Sequence, residues 1–176
     1  MTTPARTQAR WMTRIGWVLT LVILPAAILP FLPQIAARAS EVSFNGPDWA
    51  LWARLSWVIK LHIFAALAAL LIGTTILTRP KGTGFHRTLG WGWVLAMATT
   101  AVSSLWITEL NGNVWSFVHL LSGWTIIALP MAIFAIRNRK VEAHRRAMTG
   151  IFVGGLLIAG SLSFIPGRFM FEFFFG

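Results

Sequence analysis

The chain has 176 residues, of which 56% are hydrophobic and only 11% are charged. Because soluble domains carry about 25% charged residues, this composition excludes an ordinary water-soluble enzyme and indicates a protein that is embedded in lipid. The net charge of +10 does not indicate a nucleic-acid partner, since the basic residues cluster where membrane topology requires them. There is no cysteine, which excludes disulfides, thiolate metal sites and covalently attached haem.

A transmembrane helix needs roughly 20 predominantly apolar residues. Five stretches meet this requirement, and in chain order they lie at about 15–33, 54–78, 88–109, 115–136 and 147–166. The predicted fold is therefore all-α, a polytopic membrane protein with five transmembrane helices. The long connection at 34–50 ends on Asp48, a candidate N-cap for a helix that begins near Trp49 and continues into the second span.

The distribution of basic residues predicts the orientation of the chain. Eleven of the fifteen Lys and Arg residues lie before the first span, between the second and third spans, or between the fourth and fifth. If the spans alternate in direction, these three segments share one side, and the positive-inside rule makes that side cytoplasmic. The N-terminus is then cytoplasmic and the C-terminus periplasmic, and residues 1–53 form the first helix and a periplasmic connection.

Spans two and three resemble spans four and five with an offset of 58 residues. The matched basic positions are Arg79 with Arg137, His86 with His144, and Arg87 with Arg145. Such a repeat predicts two helical hairpins that form one antiparallel four-helix bundle at 54–176, with the first helix at its edge.

Each helix of the predicted bundle carries one histidine. His62 lies 17 residues before Arg79 and His119 lies 18 before Arg137, so both are roughly 25–27 Å from the cytoplasmic boundary. His86 lies seven residues after Arg79, and His144 lies seven after Arg137. These two histidines are therefore expected to share one depth near the cytoplasmic face. Alternate helices of such a bundle are diagonal neighbours, so His62 is expected to face His119, and His86 to face His144.

Two imidazoles that face each other across a bundle are the axial ligands that a six-coordinate haem b requires. The sequence therefore predicts haem sites at His62/His119 and at His86/His144. Small residues follow His62 at 65, 66, 69 and 73, where a flat macrocycle needs space. Candidate cations for the haem propionates are Arg87, Arg145 and Arg146 inside, and Arg54, Lys60 and Arg168 outside. The alternative is that each neutral histidine bonds only a backbone carbonyl or a serine of a neighbouring helix.

The segments KLHIFAALAALLIG, GFHRTLGW, SFVHLLSG, EAHRRAM and IAGSLSFIPGR, over about 58–170, resemble a bacterial membrane-protein family known as domain of unknown function 2306. This resemblance implies placement in the bacterial cytoplasmic (inner) membrane and no particular activity. The diagonal histidine pattern is similar to the cytochrome b-561 group, which carries two haems and moves electrons across membranes. The chain has no ascorbate-binding motif of that group, and its His62-to-His86 interval is shorter.

Two functional hypotheses follow. The first is a transmembrane haem b protein that exchanges electrons across the cytoplasmic membrane with a quinone or another redox partner. The second is a non-catalytic accessory or assembly subunit of a respiratory or photosynthetic membrane complex, for which the Phe-rich segment at 169–175 offers a docking surface. Ion-coupled transport is disfavoured because no Asp or Glu lies deep within a span.

Overall fold

The computed structural model describes residues 43–107 and 118–176, together with residues 32–38 and positions 22, 25 and 29. Within these residues all regular structure is helical, which confirms the all-α prediction for the described part of the chain. The predicted first span at 15–33 lies largely outside the described residues.

Within residues 32–38, 43–107 and 118–176, seven helical elements can be followed. They are α1 (Leu32–Arg38), α2 (Trp49–Arg54), α3 (Trp57–Thr78), α4 (Gly84–Ser104), α5 (Val118–Arg137), α6 (Val141–Phe164) and α7 (Phe169–Phe175). Helix α6 is composite, because its central residues Ile151–Ile158 are π-helical and its last three, Leu162–Phe164, form a 3₁₀ turn. A π-helical stretch of this length is unusual in proteins.

The start of the second predicted span differs from the expectation. Asp48 does cap α2, since its Oδ1 accepts from the N–H groups of Ala50 and Leu51, each at 2.9 Å. The prediction of one continuous helix from Trp49 into the membrane is wrong, because the backbone is extended at Leu55. The reason is a second N-cap: Ser56 Oγ accepts from Ile59 N–H at 3.4 Å and starts α3 afresh.

Three of the described helices are long and apolar enough to cross a membrane, namely α3, α5 from His119 onward, and α6. Helix α4 has 21 residues, but its glycines, threonines and tryptophans lower its hydropathy, so its predicted span stays a prediction. Large apolar side chains cover the outside of these helices, among them Phe64, Leu71, Leu95 and Phe134. An exposed apolar surface of this extent suits a lipid bilayer.

The four long helices contact one another in succession, α3 with α4, α4 with α5, α5 with α6, and α6 with α3. Each contributes to one buried cluster, which comprises Ala69, Trp93, Met97, Ala128, Leu129, Ile151, Phe152 and Leu156. The connections 79–83 and 138–140 lie at one end of the helices, here called the basic end, and their Lys and Arg side chains are exposed.

The opposite end is covered by residues 43–54 and α7, here called the cap. The backbone N–H of Asn45 donates to the carbonyl of Phe174 at 3.0 Å, and that of Asp48 donates to the carbonyl of Phe173 at 2.9 Å. Aromatic rings fill the space between, for example Trp52, whose ring centroid is 6.1 Å from that of Phe173. The Phe-rich segment therefore packs against an earlier part of its own chain.

At Gly73, two buried aromatic rings lie close to the helix backbone. A Cβ atom at this position would lie 2.6 Å from Phe152 Cε2 and 2.7 Å from Trp93 Nε1. Both rings are almost completely buried, so neither has free space into which it can move.

We therefore expect Gly73→Ala to lower the free energy of unfolding by about 1–3 kcal/mol, the usual cost of overpacking. The matched control is Gly90→Ala, where a Cβ meets nothing within 4 Å. Alanine loses less backbone entropy than glycine, so the control should be neutral or more stable by up to about 1 kcal/mol. Circular dichroism during titration of micelles with sodium dodecyl sulfate measures both, and equal stability of the two variants would contradict the packing at Gly73.

Candidate functional site

A cavity of about 460 Å³ lies among the four long helices near the cap. This volume is within the range of small-molecule and cofactor sites. Its walls are mostly apolar, and α3, α4, α5, α6 and the start of α7 all contribute to them. The polar and charged residues that line it are His62, Thr100, Ser104, His119, Ser122, Thr125, Ser161, Ser163 and Arg168.

His62 reaches this cavity from α3 and is held by α4. Its Nδ1 lies 3.0 Å from the carbonyl oxygen of Thr100 and 3.1 Å from Ser103 Oγ. Because a carbonyl oxygen can only accept, Nδ1 carries the proton and donates it, and Nε2 keeps its lone pair. A backbone carbonyl that fixes the tautomer in this way is the usual second contact of a metal-ligating histidine. His62 thus makes the hydrogen bond to a backbone carbonyl that was the alternative to metal ligation. This bond uses only Nδ1, so Nε2 is still available to a ligand.

His119 reaches the same cavity from α5. The residue is only 8% exposed, and its Nε2 has no exposed surface. The structure thus brings His62 and His119, which were predicted to share one depth, to the wall of one cavity. Ligation of a metal by this pair stays a prediction.

The second predicted pair lies toward the basic end. His144 Nδ1 is 3.0 Å from the carbonyl oxygen of Ala132, so it too donates and leaves Nε2 with a lone pair. His86 is close enough to His144 for charges on the two rings to repel each other. Within the described part of the chain, the buried Nδ1 of His86 has no hydrogen-bond partner.

The predicted inner cations are exposed, and two of them share one protein partner, Glu142. Arg145 Nε lies 3.1 Å from Glu142 Oε2, and Arg146 Nε lies 2.8 Å from Glu142 Oε1. Arg87 is exposed near the start of α4. Any anionic ligand at this end would therefore compete with Glu142 for Arg145 and Arg146.

Of the three cations predicted for the outer end, Arg168 is the one on the cavity wall. Arg54 is exposed, and the ammonium of Lys60 lies over the Trp52 ring, 5.9 Å from its centroid. Burial lowers the pKa of the Arg168 guanidinium below its ordinary value. A cation that has lost part of its hydration favours an anionic group nearby.

Of the small residues predicted to make space beside His62, at 65, 66, 69 and 73, only Ala66 lines the cavity. Trp93 and Phe152 already fill the space in front of Gly73. The polar lining at Thr100 and Ser104 was missed. Helical spacing could have predicted this lining. Met97, Thr100 and Ser104 are three and four residues apart, so their side chains lie on one face of α4.

The donor set itself limits the kind of metal site. Among the described residues, no group of three or more His, Cys, Asp or Glu side chains is placed to hold a metal ion. Pairs of imidazoles supply two ligands, and iron then needs the remaining four from elsewhere. A porphyrin supplies four nitrogens in a plane, so the donor set fits haem better than a bare ion.

Comparisons with known proteins place the chain in a family. Among curated proteins and among solved structures, no match to the chain is found. The family described as "Predicted membrane protein (DUF2306)" matches residues 59–173, which include all four histidines and the whole cavity lining. This match spans well over half of the chain, and the chain therefore belongs to the DUF2306 family of membrane proteins.

Proposed function

We propose that this protein is a transmembrane haem b electron-transfer protein whose outer haem lies between His62 and His119. The observation that supports this most is that both imidazoles line one cavity inside an apolar set of helices. The bond from His62 Nδ1 to Thr100 orients the ring and reserves Nε2 for a ligand.

The surroundings of the cavity suit a haem in two further ways. Its walls are apolar, as a porphyrin face requires, and Arg168 supplies a cation for a propionate. When bound by two imidazoles, haem iron has no open coordination position, and its chemistry is one-electron transfer. The residues of the chain orient the group, exclude water and set its reduction potential through burial and nearby charge.

His86 and His144 form the proposed inner haem site. Support for it comes from the proximity of the two rings and from the carbonyl of Ala132, which reserves Nε2 of His144. One site near each end of the helices would let electrons cross the membrane in two shorter steps.

The proposed topology has five spans, with α3 to α6 as an antiparallel four-helix bundle in the bacterial cytoplasmic membrane. The successive helix contacts and the three sufficiently apolar helices support this arrangement. The basic end is proposed to be cytoplasmic, because cationic connections stay on that side.

Spectra of the protein purified from haem-replete cells test the haem sites. Wild type should show a Soret band and a dithionite-reduced α band, with about two haems per chain by haemochrome assay. His62→Ala and His119→Ala should each lower the ratio by about one, because a six-coordinate site needs both imidazoles. Gly90→Ala is the control for losses of haem during purification, and it should keep the wild-type ratio because a Cβ at this position meets nothing within 4 Å. An unchanged ratio in both histidine variants, or no band in wild type, would refute the outer site.

The absence of native cysteine allows a test of topology with single introduced thiols. Ser43→Cys lies in the cap and Lys81→Cys lies in a basic connection, and both positions are exposed. In intact spheroplasts a membrane-impermeant maleimide should label Ser43→Cys, and it should label Lys81→Cys only after permeabilisation. The reverse pattern would show that the proposed orientation is wrong.

A further inference from the structure

A second cavity, of about 550 Å³, lies between α3 and α4 near the cap. Here it is called the groove, and it is lined by Trp57, Val58, Leu61, Ala98, Thr99, Val102, Ser103 and Trp106. Trp57 is 73% exposed and Trp106 is 66% exposed, so both indoles lie on the outer surface of the helices. The groove thus combines an apolar wall, two aromatic rings and two hydroxyl-bearing residues.

The hydroxyl of Thr99 lacks a hydrogen bond that several other threonine hydroxyls in the long helices make. Those of Thr75, Thr100 and Thr125 each donate to the carbonyl four residues earlier, at 2.8–2.9 Å. Among the described residues, Thr99 Oγ1 has no hydrogen-bond partner. A hydroxyl in a lipid environment is costly unless a partner accepts its proton, so a ligand with a carbonyl oxygen would be stabilised here.

Ser103 connects the groove to the cavity that holds His62. It lines the groove, and its Oγ lies 3.1 Å from His62 Nδ1. Ser103 Oγ donates to the carbonyl of Thr99 at 2.6 Å, so toward His62 it acts as acceptor. A ligand in the groove is therefore separated from the proposed haem ligand by one side chain.

We propose that the groove binds the ring of a lipid-soluble quinone, with a ring carbonyl accepting a hydrogen bond from Thr99 and the indoles of Trp57 and Trp106 beside the ring. This inference rests on the proposed function, because an electron-transfer protein needs a redox partner, and a lipid-soluble quinone can reach this groove through the membrane. A flat, conjugated dione can lie against two indoles, and its carbonyl can accept from an unpaired hydroxyl.

An ordinary phospholipid fits these features less well. Thr99 precedes Trp106 by seven residues, or roughly 10 Å along the helix, so it lies below the interfacial depth where the indoles and the glycerol esters sit. At that depth an acyl chain offers no hydrogen-bond acceptor. The exposed Leu95 continues the same face of α4 and provides apolar surface for an isoprenoid tail.

Photolabelling tests the proposal on the full chain in quinone-free phosphatidylcholine nanodiscs. An aryl-azide derivative of a short-chain benzoquinone should label peptides that contain residues 57–61 and 98–106, and unlabelled quinone should displace it. Thr99→Val keeps the shape and removes the hydroxyl, so it should weaken competition by about fivefold to tenfold. The control is Thr74→Val, the same change at an exposed position outside the groove, which should leave competition unchanged.

The possible outcomes separate this proposal from the haem proposal. Labelling that quinone does not displace would show that the groove holds ordinary lipid, and it would overturn the inference. Equal competition in the Thr99 and Thr74 variants would overturn it as well. Retained labelling in His62→Ala, whose haem content has fallen, would support a site formed by the protein itself. Specific labelling of a wild type without a haem band would support the groove while refuting the haem site.

Discussion

The hydrogen bond from His62 Nδ1 to the Thr100 carbonyl is the interaction on which the candidate site depends. In lipid, each polar group needs a partner within the protein, and this bond provides one for an imidazole in a predominantly apolar helix. The same bond ties α3 to α4 and sets the tautomer of the ring. As a result, the other nitrogen is left as a base that faces no competing donor from Thr100 or Ser103.

The interior of the four long helices is divided into two halves of different character. Toward the basic end, Gly73 lets the rings of Trp93 and Phe152 come together, and the core is filled. Toward the cap, Ser and Thr side chains and two histidines surround a space that protein atoms leave open. Close packing in one half stabilises the helices, which permits the other half to keep an open space in place of a filled core.

The parts of this arrangement that follow from hydropathy were predictable from sequence. Helices α3, α5 and α6 and the shared level of His62 and His119 follow from apolar length and from a rise of 1.5 Å per residue. Local competition was harder to predict. Ser56 interrupts a helix because its hydroxyl caps a new one, and Glu142 occupies Arg145 because the two are three residues apart on α6. Such outcomes depend on side-chain rotamers, which periodicity does not specify.

The π-helical stretch Ile151–Ile158 has a consequence for the internal repeat. A π turn contains more residues than an α turn, so side chains beyond it are rotated around the helix axis relative to those before it. The corresponding stretch of α4 is α-helical throughout. Positions that match at an offset of 58 therefore point in different directions beyond this stretch. The predicted repeat would thus give two non-equivalent halves, because a change in helical winding is enough to remove the symmetry between them.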